Sequence, residues 1–244
     1  MNQAEFELME RLEDGHFWFV GKRLLLRALL GGRSSGGRLL DLGCGLGGVL
    51  ADFEAELRCF GTDRSPFALR LSRRRTNAAL ARADVTAPPF RSGSFDTVVA
   101  LDVIEHLPDD VAFLRRAGEL LAPGARLVIA APAFPLLWSQ HDVAFQHHRR
   151  YTAATLRSAV VAAGLRPERV TYLHALIFPV ALAWRLASRR LGLGRFAPKT
   201  DFWPLPGWLN RAVASLYPLE AWWLRRGDLP FGTSVACIAR RDPA

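Results

Sequence analysis

The sequence predicts an α/β protein built on a doubly wound, mostly parallel β-sheet, and three observations support that prediction. Half of the 244 residues are hydrophobic, which suits one large buried core and not a disordered or fibrous chain. From Arg38 to Leu173, short apolar runs alternate with helix-length segments, as in right-handed βαβ units. The stretch LLDLGCGLGG (39–48) is typical of a strand that enters a tight turn and then a helix.

The elements follow in order along the chain. We expect strands, in chain order, at 38–43, at 58–63, just before Asp84, and at Phe95–Val103, Ala125–Ala133, Glu168–Leu173 and Phe231–Arg241. We expect helices between them at 47–57, 66–80, Asp109–Leu121 and Thr152–Ala163, the last stopped by Gly164. The alternation fails in a tract rich in Trp, Pro and Arg. The sequence therefore predicts three parts: an N-terminal helical extension or lid (1–36), an α/β domain (37–174 and 229–244) and a helical insertion that covers the substrate (175–228).

The charge and cysteine content restrict the class of protein. The three cysteines are scattered, which argues against a disulfide framework or a zinc site and favours the cytoplasm. The N-terminus is acidic and amphipathic, unlike a signal peptide, and the longest apolar run (175–184) is shorter than the roughly 20 residues of a membrane span. The net charge is +9, but no long basic block is present, so nucleic-acid binding is not favoured. Anionic lipid or a phosphate-bearing substrate fits this charge at least as well.

The glycine turn and the acids after it indicate a nucleotide-like cofactor. Gly43, Gly45 and Gly48 match G-x-G-x-x-G, which taken alone also suits NAD. Asp41, two places before the first glycine, would repel a pyrophosphate and attract a cationic ligand. Asp63 is placed to accept hydrogen bonds from ribose hydroxyls. The combination favours S-adenosylmethionine (SAM), with Asp84 and Val85 positioned for the adenine amino group and ring.

Four ordered motifs, LLDLGCGLGG, the acid at Asp63, ADVTAPPF and FDTVVALDVIEHL, resemble those of class I SAM-dependent methyltransferases. The resemblance implies a Rossmann-like, seven-stranded sheet whose last strand, Thr233–Arg240, is antiparallel. It also implies the residues that hold SAM or its product S-adenosylhomocysteine. The contacts implied by the resemblance are Asp41, Gly43, Gly45, Asp63, Asp84, Val85, Leu101 and Asp102. We also expect Arg64, Trp18 and Arg23 to contact the cofactor. More narrowly, HFWFVGKR, HDVAFQHHRRYT and LPFGTSVACIARR resemble a bacterial subgroup, type 11/12-like, linked to lipid-linked saccharide or natural-product pathways.

The stretch HDVAFQHHRRYT (141–152), here called the polar loop, follows the fifth strand at the ligand edge of the sheet. We expect His141 or His147 to be a general base, without choosing between them. Arg149, Arg150 and Tyr151 are expected to contact the substrate, the arginines through an anionic group. A solvated loop ahead of a helix is the structural alternative. We expect no metal site, because the spacing matches no compact ligand set and class I enzymes mostly need no metal.

Two further segments have both a functional and a structural interpretation. Glu105 and His106 follow the fourth strand and contact the substrate or cap the next helix. Trp18 and Arg23 close over the cofactor, with Arg23 reaching its carboxylate, or they belong to a segment that packs the N-terminal helix on the sheet.

The predicted activity is transfer of the SAM methyl group to oxygen or nitrogen of a small-molecule, natural-product or lipid-linked acceptor. An RNA or protein methyltransferase, a non-catalytic SAM-binding protein and an NAD enzyme are the alternatives. The last is disfavoured by Asp41. In the insertion, eight basic residues and two acids lie between Arg185 and Arg226, together with tryptophans, which predicts peripheral membrane contact. A cap that buries these tryptophans, on the sheet or in a dimer, is the alternative.

Overall fold

The computed structural model describes residues 3–31, 36–191 and 205–241. Elements are numbered in chain order. The strands are β1 Arg38–Leu42, β2 Arg58–Asp63, β3 Ala79–Arg82, β4 Phe95–Leu101, β5 Leu121–Pro132, β6 Leu165–Leu173 and β7 Ser234–Arg241. The α-helices are α1 Gln3–Leu12, α2 Phe17–Leu30, α3 Gly48–Phe53, α4 Pro66–Ser72, α5 Asp110–Glu119, α6 Gln140–Ala144, α7 Ala153–Ala162, α8 Phe178–Arg190, α9 Gly207–Ala214 and α10 Tyr217–Leu224.

All seven strands form one sheet in the order β3-β2-β1-β4-β5-β7-β6. Strands β1 to β5 run parallel, whereas β7 lies between β5 and β6 and is antiparallel to both. The predicted Rossmann-like α/β fold with an antiparallel last strand is confirmed. After β3 the chain crosses to the other side of β1, and in such sheets ligands bind at the carboxyl ends of the strands beside this switch.

The central strands are buried on both faces, as expected for a parallel sheet covered by helices. Successive residues of β4 point to opposite faces: Val98 belongs to one apolar cluster with Phe113 of α5, and Val99 to another with Leu25 of α2. All four side chains are at most 1% exposed. Helices on both faces therefore hold the sheet, and its carboxyl edge is the side left for a site.

Several boundaries differ from the sequence prediction: α4 ends at Ser72 and not at residue 80, because β3 already begins at Ala79, and β6 begins at Leu165 and not at Glu168. Helix α5 ends at Glu119, and β5 already begins at Leu121, four residues before the predicted strand. Leu121 pairs with Phe95, and the register of β4 and β5 then shifts. Gly124 has a φ of +74°, in the region that glycine adopts most easily, so the Pro-Gly pair that reads as a turn is an irregularity within the strand.

Helix α2 of the N-terminal extension and α10 of the insertion share one apolar cluster on one face of the sheet. Helix α2 begins at the N-cap His16, whose ring accepts a hydrogen bond from the Trp18 amide, and it packs on α9 and α10. Helices α8, α9 and α10 make up most of the described part of the insertion, and residues 192–204 lie outside the described residues. The division into extension, domain and lid stays a prediction. None of the helices in the described ranges is long and apolar enough to cross a bilayer.

The contact between α2 and α10 depends on a glycine. A Cβ atom on Gly21 would lie 2.3 Å from the ring of the fully buried Tyr217, whose hydroxyl is hydrogen-bonded to Nδ1 of His174 at 2.7 Å. We expect Gly21→Ala to lower the free energy of unfolding by about 1–3 kcal/mol, because the ring has to move. Urea denaturation measures this. Gly15→Ala is the control, since its Cβ would meet no atom within 4 Å. Equal stability of the Gly21→Ala variant and the wild type would contradict the prediction.

Candidate functional site

A cavity of about 1370 Å³ opens at the carboxyl ends of the parallel strands, beside the switch between β1 and β4. Its wall combines the strand ends, α2, the polar loop, and helices α8 and α9. Most of the residues predicted for the site lie in this wall: Trp18, Arg23, Asp41, Gly43, Gly45, Asp63, Arg64, Asp84, Val85, Leu101, Asp102, Glu105, His106, His141, His147 and Arg150.

The glycine turn after β1 brings the backbone close to the cavity. Gly43 and Cys44 donate their amide hydrogens to the carbonyl of Thr62, which fixes the turn against the end of β2. Gly43 has a φ of +80°, and a Cβ there would lie 2.7 Å from a methyl group of Val103. A larger residue would therefore be strained and would push on the next strand end.

Asp41 is the buried acid of the site. Its side chain is almost fully buried, and burial raises the pKa of its carboxyl to about 7, although the charge of Lys22 acts to lower it. Lys22 itself donates a 3.0 Å hydrogen bond to Asp102, and this ion pair keeps the pKa of Asp102 below its usual range despite burial. A cation bound beside Asp41 would offset the cost of its burial.

Asp63 at the end of β2 is tied to the turn. Its carboxylate accepts hydrogen bonds from the amides of Gly45 (3.0 Å) and Ser65 (2.8 Å). Burial raises the pKa of the Asp63 carboxyl, and these two bonds oppose the shift. The carboxylate is thereby held in a fixed orientation at the rim of the cavity. The exposed Arg64 lies beside it.

The remaining predicted cofactor contacts of the strand ends surround this rim. Asp84 is exposed, and one carboxylate oxygen accepts hydrogen bonds from the amide and hydroxyl of Thr86, which lower its pKa. Val85, partly buried, is the apolar neighbour expected for a flat ring. Asp102 follows Leu101 with a φ of +55°, a backbone conformation that is strained in residues other than glycine. Such strain is often retained at binding sites.

The N-terminal helix contributes Trp18 and Arg23. The Trp18 ring stacks on His174 with centroids 4.0 Å apart and planes within 7°. Burial lowers the pKa of His174 to about 3, so this stacked ring is neutral. Arg23 donates to the carbonyl of Glu13 at 2.8 Å and pairs with Asp52 at 3.2 Å. The guanidinium of Arg23 thus has partners within the protein. To bind a cofactor carboxylate as well, it would have to divide its donors between that carboxylate and these partners.

The polar loop folds around a buried acid that the sequence analysis left without a role. Asp142 lies in α6 and is fully buried. It accepts a pair of hydrogen bonds from Arg150 (2.7 and 2.9 Å) and faces Nδ1 of His147 at 2.9 Å. Burial alone would raise the pKa of Asp142, but the bonds with His147 and Arg150 outweigh it and hold the pKa well below its usual range. The imidazole of His147 is thereby held in one orientation. His141 stacks on Phe145 instead, with centroids 4.2 Å apart.

Glu105 and His106 lie in a short 3₁₀ turn, Ile104–His106, directly above the end of β4. Glu105 is fully buried, and neither carboxyl oxygen has a hydrogen-bond partner of normal geometry in the described part of the chain. Burial, reinforced by the charge of Asp102, raises its pKa well above the usual value. Burial also lowers the pKa of His106 to about 4. Its ring meets that of His147 edge to face, with centroids 4.7 Å apart.

Two residues predicted to contact the substrate are not brought to the cavity. Arg149 donates to the carbonyl of Pro108 (2.7 Å) and pairs with Asp110 (2.9 Å) on the outer side of the loop. Tyr151 is buried, and its hydroxyl donates to the same Asp110 at 2.8 Å. Both side chains fasten the polar loop to α5, and neither is part of the cavity wall.

Comparison with known families bears on the same segments. A family model described as a methyltransferase domain matches residues 15–170, which span the glycine turn, the acids after it and the polar loop. The chain belongs to this methyltransferase family. The assignment confirms the resemblance to class I SAM-dependent methyltransferases that the ordered motifs indicated.

Individual relatives agree with the family. The chain is 33% identical to a ubiquinone biosynthesis O-methyltransferase of Xanthomonas euvesicatoria pv. vesicatoria over 39% of this chain and 43% of that protein, less than half its length. One similar structure is a chain of the complex between the Haloferax volcanii Trm112 methyltransferase activator and a methyltransferase. Its TM-score is 0.65 at 22% identity, and the match covers 99% of this chain and 94% of that chain. Another is phosphoethanolamine N-methyltransferase 2 of Haemonchus contortus in complex with SAM, with a TM-score of 0.66 at 17% identity. This match covers 99% of this chain and 58% of that chain. At these identities the two structures support the fold.

Sequence reasoning missed two residues of this methyltransferase site. Lys22 was given no role, although it is one of only two lysines among 32 basic residues and that rarity was an available signal. Asp142 was counted among the polar residues of the loop but given no role. Its position five residues before His147 does not by itself predict contact, because the intervening backbone leaves α6 and turns back.

Proposed function

We propose that this chain transfers the methyl group of SAM to an oxygen or nitrogen of a small-molecule, natural-product or lipid-linked acceptor and releases S-adenosylhomocysteine. The observation that carries the proposal is a cavity whose wall combines two chemically different groups of side chains, here called its two halves. One half is acidic and contains Asp41, Asp63 and Asp102. The other half is apolar and is lined by Ile177, Val180, Ala181, Trp184, Leu209, Val213 and Leu216. A donor in the acidic half would present its methyl group to an acceptor in the apolar half.

The size of the cavity supports two ligands. Its volume of about 1370 Å³ exceeds the roughly 300–1,000 Å³ of most small-molecule sites. A cofactor and an acceptor fit side by side, with the polar loop and the end of β4 at the junction. Enclosure by α2, α8 and α9 would also exclude water from the transfer.

The residues of the acidic half fit a cationic nucleoside. Asp41 is buried where an ammonium or sulfonium group would stabilise its ionised form. Asp63, held by two backbone amides, presents its remaining lone pairs to ribose hydroxyls. Leu101 and Asp102 would flank the donor, and Val85 with Asp84 would contact the adenine. When bound, SAM supplies an electrophilic methyl group on sulfur, so the protein mainly has to align it with the acceptor.

For a hydroxyl acceptor, His147 is the better placed of the two proposed bases. Its Nδ1 is engaged by Asp142, which leaves Nε2 to accept a proton. The Asp142 carboxylate would orient the ring and stabilise its protonated form, acting as a positioning residue. His141 lies in the same wall but stacks on Phe145. Arg150 holds Asp142 through two hydrogen bonds, so its contribution would be to the dyad and not directly to an acceptor.

Calorimetry with SAM and NAD tests the cofactor half. We expect binding of SAM or S-adenosylhomocysteine and no comparable binding of NAD. Asp63→Ala should weaken SAM binding by about 1–3 kcal/mol, because a hydrogen-bonded carboxylate is lost. A matched acid-to-alanine control is Asp228→Ala, outside the cavity wall, which should bind SAM as the wild type does. Tight NAD binding without SAM binding would overturn the proposal.

The surface of the insertion supports an apolar acceptor that is met at a membrane. Several large apolar side chains on α8 to α10 face solvent, including Leu186 (41% exposed), Trp208 (67%) and Leu219 (60%). Exposed arginines stand among them: Arg189, Arg190, Arg225 and Arg226. Apolar side chains flanked by arginine and tryptophan suit the interface of an anionic bilayer. Because α8 lines the cavity with its other side chains, an acceptor could pass from this surface to the site.

Vesicle flotation tests the membrane contact. We expect the protein to float with vesicles of mixed anionic and zwitterionic phospholipid at low salt and to be released at high salt, since Lys and Arg contribute about 1 kcal/mol each near such a surface. The charge reversal Arg225→Glu with Arg226→Glu should abolish flotation. Reversal of two exposed arginines that follow α4, outside the insertion, Arg73→Glu with Arg74→Glu, is the matched control and should leave flotation intact. A wild-type protein that stays unbound at low salt would rule this contact out.

A further inference from the structure

The proposed mechanism leaves one buried group unexplained. The carboxyl of Glu105 is fully buried in the wall of the cavity, and within the described ranges neither oxygen has a hydrogen-bond partner of normal geometry. An isolated buried carboxyl is costly, and such groups are normally hydrogen-bonded or coordinate a metal. A ligand that supplies positive charge or hydrogen-bond donors would remove that cost.

Two imidazoles converge on this carboxyl. One ligand atom each from Glu105, His106 and His147 can be chosen so that all three lie within 4.8 Å of one another. Glu105 is buried and the two histidines are half-buried, so this group is not an exposed acidic cluster. Bonds of about 2.0–2.2 Å from nitrogen and oxygen to one ion would need only small side-chain movements to close this triangle.

The outer partners match those of metal-binding histidines. A ligating imidazole usually engages a carboxylate or a backbone carbonyl through its other nitrogen, which fixes the ring. His147 faces Asp142 with Nδ1 at 2.9 Å, and Arg150 in turn holds Asp142. His106 has a hydrogen bond with the backbone of Phe145. Both rings are therefore oriented from behind, and each has a second nitrogen that the cavity side of the cluster can use.

We propose that Glu105, His106 and His147 bind a divalent transition-metal ion, with Zn²⁺ as the best match to two imidazoles and one carboxylate. Three protein ligands leave a fourth position of a tetrahedral site open to the cavity, as in catalytic zinc sites. Our expectation of no metal site rested on sequence spacing and on the fact that class I enzymes mostly need no metal. The fold, however, brings Glu105 and His106 next to His147, more than 40 positions later in the sequence. This inference rests on the proposed function for its role, because the open position would receive the acceptor oxygen.

The bound ion would change how the acceptor is activated. An acceptor hydroxyl on the ion would release its proton to water more readily, because the positive charge stabilises the oxyanion. The oxygen then forms the bond to the methyl carbon while the carbon–sulfur bond breaks, and its electron pair stays on sulfur. In this arrangement Nε2 of His147 is a ligand and not the proton acceptor. Nε2 of His147 cannot bind the ion and accept a proton at the same time, so metal binding can be tested separately from base catalysis.

The test is metal binding by the full chain after dialysis against a chelator. We expect one Zn²⁺ per chain by calorimetry, and a tetrahedral absorption spectrum when Co²⁺ is used as the probe. Glu105→Gln and His147→Gln should each abolish stoichiometric binding. Asp142→Asn should weaken it roughly 10- to 100-fold, as expected for an outer partner. His148→Ala is the matched control, because this neighbouring imidazole is exposed and outside the cluster, and it should bind Zn²⁺ like the wild type.

The outcomes separate this inference from the proposed function. Absence of stoichiometric Zn²⁺ binding would overturn the metal site. Zn²⁺ binding that Glu105→Gln leaves unchanged would also overturn it. Melting curves of each variant establish that it is folded, and Asp142→Asn gives an independent reading if a ligand variant is not. SAM binding is measured on the same metal-free protein. Loss of the metal site with intact SAM binding leaves the proposed function standing, whereas Zn²⁺ binding without SAM binding overturns the proposed function alone.

Discussion

Asp41→Asn is expected to weaken SAM binding by about 2–5 kcal/mol, or roughly 30- to 4,000-fold in Kd, while leaving the fold intact. The substitution keeps the size of the side chain and removes the charge. In the wild type, that charge lies at the end of β1, is almost fully buried, and has Lys22 as its nearest opposing charge. Removing one member of a buried charge pair leaves the cation of the cofactor without its partner, which is the source of the large effect. Isothermal titration of both proteins with SAM measures it.

The same carboxyl predicts a pH dependence. With the pKa of Asp41 raised to about 7, the free protein carries a proton there below that pH, and a cationic ligand has to displace it. SAM affinity should therefore fall by up to about tenfold per pH unit below pH 7 and level off above it. Asp41→Asn should remove this slope. Asp84→Asn is the control, because the pKa of Asp84 is lowered and does not titrate in this range. A wild-type affinity that is flat between pH 5.5 and 8 would contradict the assignment.

A rise in pH through the pKa of Asp41 has opposite effects on SAM affinity, which increases, and on the stability of the cofactor-free protein, which decreases. A carboxyl whose pKa is raised on folding, here from 3.8 to about 7, holds its proton more tightly in the folded state. Its favourable contribution is fully present below the unfolded value and is lost as the pH rises through the folded value. The cofactor-free protein should therefore lose stability from this group between about pH 4 and pH 7. Thermal melts of Asp41→Asn should lack that component, and a saturating concentration of SAM should restore stability to the wild type at pH 8.

Much of the fold was predictable because strands and their following turns leave local signals. The apolar runs of β1, β2 and β4 each end in an acid, at Asp41, Asp63 and Asp102. Because parallel strands end at the same edge, acids that are far apart in the sequence were expected to meet. The antiparallel β7 was predicted by resemblance and not by pattern, since alternation alone does not fix the direction of a strand.

The rest of the site depends on contacts that no local pattern encodes. Lys22 reaches Asp102 across 80 residues, and Glu105 meets His147 across 42, through the packing of α2 and the polar loop on the sheet edge. Tyr151 was a reasonable substrate contact from its position in the loop. The backbone after β5 instead turns it inward, where its hydroxyl is satisfied by Asp110. Tertiary packing determines which partner such a side chain contacts, because several hydrogen-bond partners of similar strength are available to a polar side chain in a loop.

Removal of the His147 imidazole is expected to have the largest effect on turnover. His147→Ala should lower kcat roughly 100- to 10,000-fold on the acceptor that the wild type methylates, the range typical of a positioned general base. The Kd for SAM should change little, because the ring is held by Asp142 of the polar loop and its proposed role is toward the acceptor. Transfer of a radiolabelled methyl group under saturating SAM measures kcat, and calorimetry measures the Kd.

The partner of His147 provides the finer test. Asp142→Asn keeps the size of the side chain but removes the negative charge that faces Nδ1, so the ring loses its fixed orientation while SAM binding is preserved. We expect a loss of kcat smaller than that of His147→Ala, with the two losses not additive in the double variant, because Asp142 acts through the imidazole ring that His147→Ala removes. Additive losses would instead indicate that Asp142 acts mainly by holding Arg150 and the polar loop. If His147→Ala and His141→Ala both keep full turnover, no histidine of this loop takes part in the chemistry. His148→Ala removes a neighbouring imidazole of the cavity wall that is outside the dyad, and it should lower kcat far less than His147→Ala.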